Sequence, residues 1–318
     1  MKKIVLISLW FGELREDFPF WLKSVEYNPT IDFLIFTDQD LVNVPSNVVV
    51  HKTDVKHVEQ LAQEKIYEGC VITKPYKLCD YKPAYGEIFQ DYIKDYDYWG
   101  HCDNDLIFGN IRHFFSDDLL DRYDRLLTRG HLTLYRNKGE VNSIYRRLTH
   151  PNYKDVFSDS KGYAFDEWPG TSRYWSDKIS DKLYDEIIFD DIAPYVYSFY
   201  SYQKREKDKG KKNFMFSFER GKLWRIYEQD GELRKEETCY MHYQRRKLKI
   251  CTKPSDSFTI VPNRIVDFVG DISVGYLRNN IRTGMYWVYL ERLCKKINDL
   301  FFGGGGKRTY LTLRTIDG

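Results

Sequence analysis

No window of the 318-residue chain reaches the roughly 18 consecutive apolar residues that a membrane-spanning helix requires. The N-terminal run Met1–Trp10 is too short for one. It is followed by Glu13, Arg15, Glu16 and Asp17 and carries no small-residue cleavage site, so it reads as a buried first strand and not as a secretion signal. A cytoplasmic protein is expected. An excess of one charge is also missing. The 49 Lys and Arg nearly balance the 47 Asp and Glu, for a net charge of +2, which argues against a partner recognised by bulk electrostatics such as nucleic acid. Cysteine is scarce and scattered. Cys70, Cys79, Cys102, Cys239, Cys251 and Cys294 form no CxxC pair, which excludes a disulfide framework and the usual zinc spacings and leaves reduced, mostly buried thiols. The glycine run Gly303–Gly306 is followed by Lys307-Arg308 and not by Lys-Ser/Thr, so it is a linker and not a phosphate-cradling loop.

What the chain has in abundance is aromatic residues, 17% of the total, with 26 Tyr and 7 Trp. Tyr and Trp combine a flat apolar face with a polar tip, and they line sites for sugars, bases and interfaces. With 42% hydrophobic and 30% charged residues, the composition is that of a soluble globular protein with a sizeable core.

The periodicity predicts an α/β chain. Residues 3–9 form a continuous apolar run, as in a parallel strand covered on both faces. Phe18 to Val25 reads as helix, Ile31 to Thr37 as a second strand and Val48 to His51 as a third. A helix is expected over 83–94, opened by Lys82-Pro83, then a strand over 97–102. Further strands are expected at Leu126-Leu127 and His131–Tyr135, an irregular polar stretch over 140–180, and a solvated loop over 204–212. Residues 214–250 alternate as strands, with turns at Arg220-Gly221 and Asp230-Gly231, which predicts a β-rich lobe. Residues 278–302 are amphipathic with a basic edge and suit either a helix packed on the domain or one lying on a membrane surface.

Asp103-Asn104-Asp105 is the chemical centre of this reading. It ends a predicted strand, and ligands of open α/β sheets gather at the carboxyl ends of strands. Two carboxylates at i and i+2 on a turn both reach one hard cation, Mg2+ or Mn2+, which keeps open positions for substrate phosphates. Phe165-Asp166-Glu167-Trp168 sets two carboxylates beside an aromatic. Asp166 or Glu167 suits the base that takes a proton from an attacking hydroxyl, and Trp168 suits stacking on a sugar face; a plain surface turn is the other reading. His101 and His131 are expected in the core or behind the ligands.

Two blocks, Lys74–Gly86 and Tyr98–Gly109, resemble a family of bacterial proteins encoded with capsule and surface-polysaccharide genes. That family was long of unknown function and is similar to GT-A-fold glycosyltransferases with a DxD motif. The resemblance extends through Trp10-Phe11-Gly12, Phe36-Thr37-Asp38, Gly130–Asn137 and Tyr240–Lys247, and covers roughly residues 1–250. It implies a GT-A-like, Rossmann-like fold: a mostly parallel central sheet flanked by helices, a β-rich acceptor-side lobe and a C-terminal amphipathic helix. The expected limits are 1–270 for the glycosyltransferase domain, split into a nucleotide-sugar half (1–137) and an acceptor half (138–270), then a helix and flexible tail over 271–318.

The resemblance also implies roles. Asp103 and Asp105 would hold the metal, joined by His242, with Asn104 beside the donor. Phe36, Thr37 and Asp38 would border the base or ribose. Asp80 would accept from the nucleoside with Lys82 nearby, although Asp80 also suits a helix N-cap. Arg245, Arg246 and Lys247 carry charge suited to phosphate oxygens. The implied donor is a UDP-linked nucleotide-sugar with Mn2+ or Mg2+, and the implied acceptor a lipid-linked or oligosaccharide glycan at the inner membrane face. Two alternatives share these features: another metal-dependent nucleotidyl- or phosphotransferase, and a non-catalytic glycan-binding protein.

Overall fold

The computed structural model describes residues 1–281, apart from Pro169, Tyr195, Val196 and Arg245. Strand β1 (Ile4–Trp10) is buried over its first five residues. Its alternation splits the core in two. Val5 and Ile7 join one apolar cluster, and Ile4 and Leu6 join another on the opposite face of the sheet. β2 (Ile31–Thr37) and β3 (Val48–Lys52) extend the sheet on one side, and β4 (Tyr98–Cys102) pairs with β1 on the other, all parallel. The chain then leaves this sheet for the short β5 (Leu106–Phe108) and returns as β6 (Arg125–Arg129), β7 (Leu132–Arg136) and β8 (Leu183–Tyr184). The resulting order is β3-β2-β1-β4-β7-β6-β8, and only β7 runs against its neighbours.

Helix α1 (Phe18–Glu26) covers one face through Phe18, Trp21 and Val25. Helix α2 (Val55–Lys65) covers the other through Val58 and Ala62, its start capped by Asp54, which accepts from the backbone N–H of His57. Burial of these apolar stripes, and not helix propensity, holds such short helices in place.

Two further sheets lie beyond. β9 (Asp190–Asp191) and β13 (Tyr240–His242) join β5 in the order β5-β13-β9. β10 (Lys211–Glu219), β11 (Lys222–Gln229), β12 (Glu232–Thr238), β14 (Lys249–Ile250), β15 (Ser257–Val261) and β16 (Arg264–Asp267) form a six-stranded, mostly antiparallel sheet, the expected β-rich lobe. The hairpins β10–β11 and β11–β12 turn at Arg220-Gly221 (φ 45° and 85°) and Asp230-Gly231 (φ 53° and 81°). Two successive positive φ angles are what a tight hairpin turn requires, and glycine adopts one of them without strain.

Three expectations need correction. The helix over 83–94 is broken into short turns, with Phe89 at φ −103°, ψ 21° separating Tyr85–Ile88 from Gln90–Ile93. The polar stretch over 140–180 holds helices, including Tyr153–Ser158 and Thr171–Lys178, whose few apolar residues, Phe157 and Trp175, are buried. The charged run over 204–212 is not all solvated: Lys204 and Asp208 are buried because each meets an opposite charge, Asp190 and Arg225 respectively. Among the described residues no helix is long and apolar enough to cross a membrane. Residues 274–281 are helical; the rest of the expected C-terminal helix and the glycine linker lie outside the described residues.

Candidate active site

The carboxyl end of β4 delivers Asp103, Asn104 and Asp105 to the rim of a cleft of about 320 Å³. Its walls are aromatic and aliphatic: Trp10 and Phe11 from the end of β1, Tyr76 and Leu78 from the segment before Lys82, and Tyr85. Its polar groups are Lys82 and the Asp103–Asp105 turn, so one apolar slot opens onto one charged edge.

The backbone fixes that turn. The N–H of Asp103 donates to the carbonyl of His131 (3.0 Å), and the indole Nε1 of Trp21 donates to the carbonyl of Asp103 (3.1 Å). The ammonium of Lys82 donates to Oδ1 of Asp103 and to the carbonyl of Gly130, both at 2.7 Å. The turn between β6 and β7 therefore clamps both the DxD backbone and its cation.

Strand pairing brings His242 to the same place. β13 runs antiparallel to β5 with His242 opposite Leu106, and the N–H of Tyr243 donates to the carbonyl of Asp105 (3.2 Å). Nε2 of His242 then lies 3.3 Å from Oδ1 of Asp105, while Nδ1 lies 2.8 Å from Oδ1 of Asp191. Burial works against charge on this imidazole, but Asp105 and Asp191 outweigh it and push it up to about 10. The same balance acts in reverse on Asp191: burial disfavours its charge, and the hydrogen bond from His242 and the neighbouring histidines hold it below the usual carboxylate range.

Asp103, Asp105 and His242 each offer a ligand atom, and these atoms lie within 4.8 Å of one another. Nδ2 of Asn104 is buried with no hydrogen-bond partner, and Oδ1 of Asp105, apart from its 3.3 Å contact with the His242 ring, has none among the described residues. A carboxylate oxygen with lone pairs to spare beside an imidazole fits a divalent cation. Two carboxylates and one imidazole are a donor set that suits a divalent cation.

Asp166 is 4% exposed, and its carboxylate lies 3.8 Å from the Lys82 ammonium. Burial raises it, Lys82 opposes, Glu167 and Asp103 add to the rise, and it is pushed up to about 7. Asp166 and the exposed Glu167 crowd over Gly130: a Cβ there would sit 2.7 Å from the Asp166 carboxylate and 2.8 Å from that of Glu167.

The structure separates other residues from this cluster. Phe36 packs in the core against His51, Phe89 and Tyr92. Thr37 is buried, and its hydroxyl accepts from the N–H of Gln39. Asp38 accepts from the N–H of Gly12 (3.0 Å), tying down the loop after β1. The apolar wall of the cleft thus comes from β1, whereas the sequence pointed to β2. Asp80 is turned inward, paired with Lys77 (2.9 Å) and accepting from the N–H groups of Tyr163 and Phe165. It lies inside a short helix, Leu78–Tyr81, and so is not an N-cap. Arg246 is buried and donates to the carbonyls of Ala193, Tyr197 and Ser198 and to Asn263. Its charge ties loops together and does not face the cleft. Lys247 is exposed, and Arg245 lies outside the described residues.

Sequence reasoning did not single out Asp191, and it left His131 in the background. The His131 ring packs 4.3 Å from that of His242.

The sequence pattern described as "Family of unknown function (DUF6625)" matches residues 6–269, so the chain belongs to that family. No curated protein matches the chain. Solved structures resemble it, among them mouse xyloside xylosyltransferase 1 in its apo form, which is 10% identical with a TM-score of 0.41 over 60% of this chain and 88% of that one.

Proposed function

We propose that this member of the family is a metal-dependent glycosyltransferase that moves a sugar from a nucleotide-sugar, UDP-linked, to a glycan acceptor. The observation that carries the reading is the convergence of Asp103, Asp105 and His242 on one point at the edge of an aromatic cleft. In this reading the cleft of about 320 Å³ lined by Trp10, Phe11, Tyr76 and Tyr85 would take the base and ribose, and its charged edge the diphosphate.

A divalent cation held there would neutralise charge developing on the diphosphate leaving group. Asp103, Asp105 and His242 would hold it, with the Lys82 ammonium beside Asp103. In the transfer, an acceptor hydroxyl oxygen bonds to the anomeric carbon, the bond from that carbon to the diphosphate breaks, and UDP leaves. Asp166 takes the hydroxyl proton. A carboxyl pushed up to about 7 is about half ionised at neutral pH and more basic than an ordinary carboxylate, which is where a general base works best. Glu167 stands beside it, and Trp168, 57% exposed, offers a face for the acceptor sugar.

The biological setting we infer is assembly of a bacterial capsule or surface polysaccharide on a lipid-linked or oligosaccharide acceptor, with the enzyme at the inner face of the membrane. Thermal-shift measurements against UDP-, GDP-, CDP- and TDP-sugars, with and without Mn2+, test the donor. A ligand that binds only the folded state raises the melting temperature. Stabilisation by one UDP-sugar only with metal, followed by release of UDP, supports the reading. Release of pyrophosphate would reassign the site to nucleotidyl transfer, and glycan binding without metal-dependent nucleotide affinity would make the protein a lectin-like module.

A further inference from the structure

Asp191 is a buried carboxylate to which the reading above gives no work. We propose that Asp191 is a positioning residue that fixes the His242 ring with Nε2 presented to the cation, and that the two-residue strand β9 carries this setting from the β-rich lobe to the site. The inference rests on the metal-dependent reading of the same site.

The geometry is over-determined. β9 pairs parallel with β13 so that His242 stands beside Asp191, and the N–H of Ile192 donates to the carbonyl of His242 (2.8 Å). Nδ1 of His242 lies 2.8 Å from Oδ1 of Asp191. The side-chain amides of Gln244 (2.6 Å) and Gln203 (2.8 Å) also donate to the Asp191 carboxylate, so it cannot turn away. Successive strand residues point to opposite faces, and Asp190 duly faces the other way. There it meets Nε of the fully buried Arg225 at 3.0 Å and the ammonium of Lys204 at 2.8 Å. Arg225 belongs to β11, and its remaining nitrogens bind Asp208 and Glu236. The short strand is thus pinned on both faces.

Once an incoming cation displaces the proton on Nε2, an imidazole that still donates through Nδ1 presents Nε2 as its lone-pair donor with the ring angle set. His131 favours the same outcome by packing on His242, and the hydroxyl of Tyr240 bonds its Nδ1 (3.1 Å). His131, Asp191 and His242 also cluster within 4.8 Å, with Nε2 of His131 buried and unpartnered. A second cation among those three would have to draw Asp191 away from the three side chains already bonded to it. The positioning role therefore requires one cation per chain.

Calorimetric titration of the full chain with MnCl2 tests this, comparing wild type, Asp191→Ala, Asp191→Asn, Gln203→Ala and Asp105→Ala, each checked for folding by circular dichroism. The expected result is one cation per wild-type chain and an affinity about 10- to 100-fold weaker in Asp191→Ala. Asp191→Asn, which keeps an acceptor for Nδ1–H, recovers most of that loss, and Gln203→Ala shows a smaller loss. Wild-type affinity in Asp191→Ala, or an equal loss in the Ala and Asn variants, overturns the positioning role; so do two cations per wild-type chain. If binding disappears in Asp105→Ala while Asp191→Ala is unchanged, the metal site stands and this inference fails. No Mn2+ binding by wild type sinks both. Should Asp191→Ala not fold, unchanged affinity in Asp191→Asn and Gln203→Ala overturns the proposal.

Discussion

The Lys82 ammonium lies 2.7 Å from Oδ1 of Asp103 and 3.8 Å from the Asp166 carboxylate, so one buried cation stands between the DxD turn and the candidate base. Burial works against its charge, but Asp103 and Asp166 outweigh it and raise the amine well above its ordinary value. Because the folded value is raised, the stabilisation from this charge is fully present below the unfolded lysine value of about 10.4 and is lost only at higher pH. The contact is intact throughout neutral pH.

Removing that cation leaves Asp103 and Asp166 uncompensated. Lys82→Met is expected to cost about 1–3 kcal/mol of stability in metal-free protein, because the lysine is buried but Asp103 is partly exposed to water, which screens the loss. Saturating Mn2+ returns part of the loss, because a cation on Asp103 and Asp105 supplies the missing positive charge. Urea unfolding with and without Mn2+ reads both effects. An equal loss in the two conditions would mean that the cation and Lys82 do not share Asp103.

Asp166 gives the pH dependence. Its folded value of about 7 stands above the unfolded value, so the native state holds the proton more tightly. Stability from this group is unaffected at low pH and falls as pH rises from about 4 to 7, by on the order of 4 kcal/mol at most. Asp166→Asn should flatten that fall, measured as denaturant midpoints at pH 5 and pH 8. Catalysis runs the other way: a base must be ionised, so turnover rises with pH through an apparent value near 7 and is nearly lost in Asp166→Asn. Glu167→Gln, altering the exposed neighbour, is expected to keep the profile. A profile that follows Glu167 instead would exchange the two roles.

Much of the fold was legible in the sequence. Continuous apolar runs announce β1 and β2, because strands covered on both faces need apolar residues at every position. Arg220-Gly221 and Asp230-Gly231 announce the hairpins through their φ requirement. The pairing of Asp103 and Asp105 on one turn was legible from residue type and spacing, and the approach of His242 to them from the resemblance. Asp191 was not, since its meaning depends on a two-residue strand pairing with a partner 51 positions away. Asp80 and Arg246 misled for the opposite reason. A charged residue reads as exposed and functional until the structure supplies buried carbonyls or an opposite charge for it to satisfy.

Arg225 shows how far a buried charge reaches. It is fully buried and touches Asp190, Asp208 and Glu236. Arg225→Ala strands those carboxylates and should destabilise the fold by about 3–5 kcal/mol. Thermal unfolding checks it; a loss below about 1 kcal/mol would show that the carboxylates find water or new partners.

Gly130 is expected to accept no larger side chain. Its Cβ would fall 2.7 Å from the Asp166 carboxylate, so Gly130→Ala displaces Asp166 or the turn that holds Lys82, at about 1–3 kcal/mol. Turnover should fall more than donor affinity does, since the donor side of the cleft is untouched. Steady-state kinetics separate the two, and an unchanged kcat would place Asp166 outside the reaction.

Cation binding by Asp105 tests the central claim most directly. Calorimetric titration of Mn2+ into wild type in the presence of UDP should show one binding event, and Asp105→Ala should abolish it while leaving the circular dichroism spectrum unchanged. Identical Mn2+ binding by the two proteins, or none by wild type, would contradict a metal centre at Asp103, Asp105 and His242.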